Sequence, residues 1–258
     1  MMQNTHALVT TEQADNILKV TLNRLEKKNA LTFQMYEALT EAFQYAQTQE
    51  NIHVLFITGG ADIFTAGNDL QDFLAGPLDY QSTPIARFIS ALIAFPKPLV
   101  AAVNGHAVGI GTTLLLHCDL VYLAENARLQ LPFISLGTCP EAASSFLLPQ
   151  LVGHLKASEW LLLGTPITAQ EALNTGLANA VFPVESYQTQ AYAMAKKLAQ
   201  QPPGSVQLTK QLLKAHHLDH IKNLAHQEGE LFIQRLSSTE AKQKIMAFFN
   251  KKPAAVAS

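Results

Sequence analysis

The chain of 258 residues is short of charge, nearly without cysteine, and has no long apolar run. Charged residues make up 15% of it, against a usual share of about 25%, while hydrophobic residues make up 48%. That balance excludes a disordered chain and a coiled coil. Eighteen Lys and Arg against twenty Asp and Glu leave a formal charge of −2 and no basic stripe, so nucleic acid is not an expected partner. Two cysteines, Cys118 and Cys139, form neither a CxxC pair nor a disulfide framework, and reduced thiols in a cytosolic protein are expected. No stretch approaches the roughly eighteen apolar residues that a membrane span needs. The opening MMQNTHALVTTEQ has neither a positive leader nor an apolar h-region, and the closing AVAS is not an SKL-type address, so a cytoplasmic protein is expected. The shortage of charge further suggests that other copies of the chain cover part of the apolar surface.

What is present has the rhythm of an α/β chain. Leu18, Val20 and Leu22 alternate with Lys19, Thr21 and Asn23, which predicts a half-buried strand. Tyr36, Leu39, Phe43 and Ala46 recur at helical spacing behind Thr32, a candidate N-cap. The runs 53–58, 98–103, 119–124 and 177–182 read as buried strands, and Thr83-Pro84 opens a further helix with proline at its first position. Strands alternating with helices predict a largely parallel sheet. Thr168 with Glu171, and Ser237 with Glu240, have the spacing of capping boxes. The Gln201-Pro202-Pro203-Gly204 cluster separates an α/β body, residues 1–200, from a helical region, residues 201–258.

Two segments rich in small residues follow buried strands. They are Phe64-Thr65-Ala66-Gly67-Asn68-Asp69-Leu70 and Asn104-Gly105-His106-Ala107-Val108-Gly109-Ile110-Gly111-Thr112-Thr113. Small residues let the backbone approach a ligand and aim free N–H groups at it, so two such segments on neighbouring strands suit a shared anion hole; tight βα turns are the alternative. No GK[ST] follows either segment, and Gly109-Ile110-Gly111 is only half of a dinucleotide fingerprint, so a phosphate-binding loop is disfavoured.

These segments, with Phe95-Pro96-Lys97-Pro98-Leu99-Val100-Ala101-Ala102-Val103-Asn104-Gly105, Cys118-Asp119-Leu120, Gly137-Thr138-Cys139-Pro140 and Gly176-Leu177, resemble the crotonase (enoyl-CoA hydratase/isomerase) superfamily from residue 8 to residue 250. The resemblance implies a spiral of ββα turns, with residues 201–258 as a helical trimerisation region, and a homotrimer or a dimer of trimers. It also implies an acyl-CoA thioester as substrate, with no cofactor beyond the CoA that the substrate carries and no metal. Two backbone N–H groups, falling on Ala66 and Ile110, would stabilise an enolate oxygen. Lys28, Ala30 and Leu31 resemble the segment that meets the CoA nucleotide, where Lys28 either pairs with a phosphate or is a solvated turn lysine. Asp69, Leu70 and Gly109 fall on further positions near the substrate, with Asp69 expected to cap a helix after the first loop. Phe73 to Leu78 and Ile85 to Ile93 are expected to line the acyl pocket.

The two glutamates that hold water in the family's hydratases are replaced here by Thr113 and by Phe133, which follows Pro132. Neither a hydroxyl nor a phenyl ring serves as a general base near neutral pH. One acid stands nearby. Glu141, in Pro140-Glu141-Ala142-Ala143-Ser144-Ser145, resembles the catalytic glutamate in the Pro-Glu-Gly-x-Ser-Ser pattern of peroxisomal-type Δ3,Δ2-enoyl-CoA isomerases. An isomerase moves one proton from C2 to C4, for which a single carboxylate suffices. On position alone Glu141 is equally a first-turn acid of the helix it is expected to open. The apolar neighbours Phe133, Ile134, Phe146 and Leu147 would raise its pKa. His106 is expected at the pocket mouth and His117 as a core histidine. His216, His217 and His220 have ligand-like spacing but no partner pattern for a metal.

Overall fold

The computed structural model describes residues 7–60, 63–75 and 79–250. Among these residues nine strands form two sheets. The larger runs in the order β1 (Val9–Ala14), β2 (Ile17–Leu22), β3 (Val54–Thr58), β4 (Leu99–Val103), β6 (Leu120–Ala124), β9 (Ala180–Phe182). Within this sheet only the β1–β2 hairpin is antiparallel, and its other neighbour pairs are parallel. The smaller sheet has the order β5 (His106–Val108), β7 (Arg128–Gln130), β8 (Ile167–Thr168).

The continuous apolar runs read from the sequence are explained by the two faces of the large sheet. Leu55 and Ile57 of β3, Leu99, Ala101 and Val103 of β4, and Val121 and Leu123 of β6 face the main core. Their neighbours Val54, Phe56, Val100, Ala102, Tyr122 and Ala124 point the other way, onto Tyr187, Ala191, Ala195 and Ala199. A strand covered on both faces gains nothing from polar alternation.

The helices are α1 (Phe33–Thr48), α2 (Pro84–Ala94), α3 (Ile110–Thr113), α4 (Ser144–Val152), α5 (His154–Ser158), α6 (Ala169–Asn174), α7 (Tyr187–Ala199), α8 (Pro203–Ala215), α9 (Leu218–Leu236) and α10 (Thr239–Asn250). Helix α7 supplies the alanine stripe beneath the sheet, and α1 packs beside α2 on the opposite side. Thr32 caps α1 by accepting from Met35 N at 3.2 Å, and Pro84 opens α2 behind the Thr83 cap. The spiral is visible in the order of the pieces. Strand β4, strand β5 and helix α3 make one turn; β3, a bridge at Thr65 and α2 make the turn before it. Each turn sends one strand to the large sheet and a short one to the small layer.

The Thr168–Glu171 capping box forms with both of its hydrogen bonds. The expected box at Ser237 does not. The Ser237 hydroxyl donates to Ile233 O, finishing α9, and the cap of α10 passes to Ser238, which accepts from Ala241 N. Buried Lys210 of α8 donates to Asp119 Oδ2 at 2.7 Å and to Lys97 O at 2.6 Å, docking the helical region on the sheet end.

Candidate active site

The two small-residue segments lie side by side. Thr65 N donates to His106 O and Val108 N to Thr65 O, both at 3.0 Å. A Cβ on Gly67 (φ +89°) would come within 2.8 Å of Val108 O, so only glycine permits that approach. A third strip, 28–31, is laid over the first. Lys28 and Asn29 take left-handed backbone angles, and the buried Asn29 amide donates to Ile63 O and Phe64 O. Leu31 N then donates to Gly67 O, and Asp69 N to Leu31 O.

That stitching corrects the expected donor on the first segment. The Ala66 N–H donates to Lys28 O at 2.9 Å and is committed to the loop's own structure. Two residues on, the Asn68 N–H has no hydrogen-bond partner among the described residues, and neither has the Ile110 N–H at the start of α3. Gly109 holds the turn before Ile110 at φ 56°, ψ −117°, and nothing lies within 4 Å of where its Cβ would be. Two unspent N–H groups on adjoining segments, one beside an open space, are free to donate to an anionic oxygen.

Glu141 is buried, at 4% exposure. The Thr113 hydroxyl donates to its Oε1 at 2.6 Å. Burial pushes the carboxyl up from 4.5 to about 7; the Thr113 hydrogen bond opposes this, and the charge of Glu228 adds to it. Thr113, read from the sequence as a missing carboxylate, is therefore the group that holds the remaining one. Phe133, at the other replaced position, is buried edge-on against Phe232, which also meets Phe73.

Glu141 does not open the helix. Helix α4 begins at Ser144, and between them Ala142 (φ 57°) and Ala143 (φ 58°) form a left-handed pair. His117 lies in the core as expected. Its Nε2 bonds Ala142 O at 2.8 Å, and since a carbonyl only accepts, Nε2 carries the proton. Burial lowers its pKa to about 4 and keeps the ring neutral. The Tyr36 hydroxyl, fully buried, donates to Asn68 Oδ1. The negative charge of Glu141 acts on both Tyr36 and Tyr80, so the first segment and Glu141 share one neighbourhood. Tyr36 had been legible only as a member of the core stripe of α1.

The remaining candidates are placed as follows. Lys28 is exposed, with its carbonyl spent on Ala66. Ala30 O and Asp69 Oδ2 both accept from Arg24 Nη1, the latter at 2.7 Å. Asp69 Oδ1 also accepts from Gln71 N, but a 3-10 turn, Asp72–Ala75, stands where a helix was expected. The Leu31 side chain is buried and Leu70 half-buried against the core. Residues 76–78 of the expected acyl-pocket lining lie outside the described residues. His106 is exposed on β5, and His217 and His220 meet Phe146 edge-on; no metal-binding cluster occurs among the described residues.

Comparison with known proteins converges on one family. The enoyl-CoA hydratase/isomerase family model matches residues 12–257. Rat enoyl-CoA delta isomerase 2 is 38% identical over 95% of this chain, which spans 64% of the rat protein's length. The peroxisomal enoyl-CoA delta isomerase 3 of Mus musculus is 36% identical over 95% of this chain and 78% of its own. The 2,3-dehydroadipyl-CoA hydratase of Escherichia coli is 37% identical over 95% of this chain and 96% of its own. Among solved structures, Pseudomonas aeruginosa OdaA superposes with a TM-score of 0.93 at 43% identity, covering 95% of this chain and 100% of that one. The spiral fold, the adjoining small-residue segments and the family match together make this chain a member of the enoyl-CoA hydratase/isomerase (crotonase) family.

Proposed function

We propose that the protein is a Δ3,Δ2-enoyl-CoA isomerase in which Glu141 carries the proton. The observation that supports this best is the buried Glu141 carboxyl poised near neutrality, with Thr113 and Phe133 at the two positions where a hydratase carries its acids. Glu141 takes a proton from C2 of a 3-enoyl-CoA. The electron pair moves through the conjugated system onto the thioester oxygen, giving a dienolate. The N–H groups of Asn68 and Ile110 receive that oxygen, each worth about 3 kcal/mol in a dry site. The protonated Glu141 then returns its proton to C4, leaving the double bond between C2 and C3 in the trans geometry.

In this reading the fatty-acyl chain lies against the ring row Phe33, Phe73, Phe232 and Phe133, and the Lys28 ammonium meets a CoA phosphate. The chain assembles as a trimer or a dimer of trimers through residues 201–258. No helix among the described residues is long and apolar enough to cross a membrane. A cytoplasmic location is the sequence expectation, although one isomerase relative is named peroxisomal.

Hydration is the second reading, favoured by the Escherichia coli hydratase at 37% identity. It lacks a base at Thr113 and Phe133 to activate water. The test is Glu141→Gln assayed with a 3-enoyl-CoA. A fall of about 10²-fold or more supports the proposal, and activity within a few-fold of the parent removes Glu141 from the reaction.

A further inference from the structure

Helix α4 starts without a cap of its own. The residue before Ser144 is Ala143, which has no side-chain oxygen and is held left-handed. The first N–H groups of a helix need acceptors, and burial makes leaving them bare costly. The acceptor arrives from 83 residues away: Glu228 Oε1, on α9, takes Ser145 N at 3.1 Å and the Ser145 hydroxyl as well. The Ser144 N–H is met nearer by, donating to Glu141 O at 3.1 Å. Glu228 is itself buried, at 6% exposure.

Rotation about the Glu141–Ala142–Ala143 turn would swing the Glu141 carboxyl. Two successive left-handed alanines persist only where the surroundings hold them. The Ser144 N–H closes the turn on Glu141 O, and His117 Nε2–H holds Ala142 O. Glu228 holds the residue that follows, Ser145. We propose that Glu228 is a positioning residue of the site: its carboxylate, delivered by the C-terminal helical region, clamps the start of α4 and so fixes the turn that aims Glu141. The proposal rests on the reading of Glu141 as the proton carrier.

The neighbourhood of Glu228 gives this clamp an electrical consequence. From α4 it meets Ser145; its charge also reaches Tyr80, in the 3-10 turn Tyr80–Ser82, and Cys139 and Glu141 in the segment before α4. Arg235, on the same helix, is turned to Gly137 O and Glu240. The Tyr80 ring lies so close to Gly229 that a Cβ there would come within 2.0 Å of it, which keeps α9 and its Glu228 tight against the site. A second negative charge near a desolvated carboxyl favours the protonated form of that carboxyl. Glu228 therefore fixes where Glu141 points and adds to the upward push that burial gives its carboxyl.

The experiment pairs Glu228→Gln with Glu228→Ala. Gln keeps an acceptor for Ser145 N without the charge; Ala removes both. The Glu141 carboxyl is titrated by ¹³C NMR in the substrate-free protein, assigned with Glu141→Gln, and kcat and KM are measured against pH with a 3-enoyl-CoA. The account expects Glu228→Gln to move the Glu141 titration and the acidic limb of kcat/KM to lower pH together. It expects Glu228→Ala to lower kcat at least tenfold with KM within twofold, and Gln to restore most of that loss. An unchanged Glu141 titration in Glu228→Gln, or a kcat indifferent to both substitutions, overturns the proposal. If Glu228→Ala does not fold, the Gln variant alone decides. A titration that moves while Glu141→Gln stays active upholds the coupling of Glu228 to Glu141 and defeats Glu141 as the proton carrier instead.

Discussion

Glu141 bears two costs that can be measured separately. Its folded pKa of about 7 lies above the ordinary 4.5, so the native state holds the proton more tightly than the unfolded chain. Stability is then undiminished below pH 4.5 and is lost as pH rises toward 7, by about 3 kcal/mol once the carboxyl is ionised. Glu141→Gln should accordingly raise Tm at pH 8 and leave it unchanged near pH 4, as read by calorimetry. As a base, Glu141 must be ionised, so kcat/KM of the parent should rise with pH through about 7. Thr113→Val removes the hydrogen bond that favours the carboxylate, so that acidic limb should move to higher pH with a lower kcat near neutrality. A limb unmoved by the substitution would deny Thr113 this role. Glu141 was legible in the sequence through a motif, whereas the task of Thr113 was not, because it is a contact across 28 residues of chain. The misplaced donor at Ala66 has the same origin: its N–H is taken by Lys28 O, from a strip far off in the chain whose place over the loop leaves no local pattern.

At the scale of the elements, the turn into α3 depends on Gly109. Its angles lie outside those open to other residues, yet no atom would obstruct a side chain there. Gly109→Ala should therefore cost about 1–3 kcal/mol by backbone strain alone and displace the Ile110 N–H, lowering kcat. Urea denaturation and steady-state rates check both parts; a variant of parental stability would show that the turn has room for other angles. Gly111 differs in kind, since a Cβ there would come within 2.4 Å of Thr65 Cγ2. Buried strands and capped helices could be read directly because their signals are local and repeated, as at β3, β4 and Thr168. Strand β5 escaped because three residues, one of them exposed and one half-buried, carry no period. The start of α10 at Ser238 escaped because Ser237 and Ser238 offer the same hydroxyl one position apart.

For the whole molecule, the shortage of charge has a visible counterpart. Leu155, Leu163 and Leu213 are 84%, 77% and 79% exposed, beside eleven other bared large apolar side chains among the described residues. The proposed trimer covers such surface, and sedimentation should return three or six times the 28.1 kDa of one chain. Leu213→Glu should weaken the association, and a parent chain that sediments as a monomer at micromolar concentration would contradict it. The central claim is narrower, namely that this site moves a double bond and does not add water. Its most direct measurement follows a 3-enoyl-CoA and a 2-enoyl-CoA in D₂O with the same protein, recording isomerisation, deuterium at C2 and C4, and hydration together. The account predicts isomerisation of the 3-enoyl ester well above hydration of the 2-enoyl ester, with exchange abolished by Glu141→Gln. Hydration outrunning isomerisation, or exchange that survives the loss of Glu141, would contradict it.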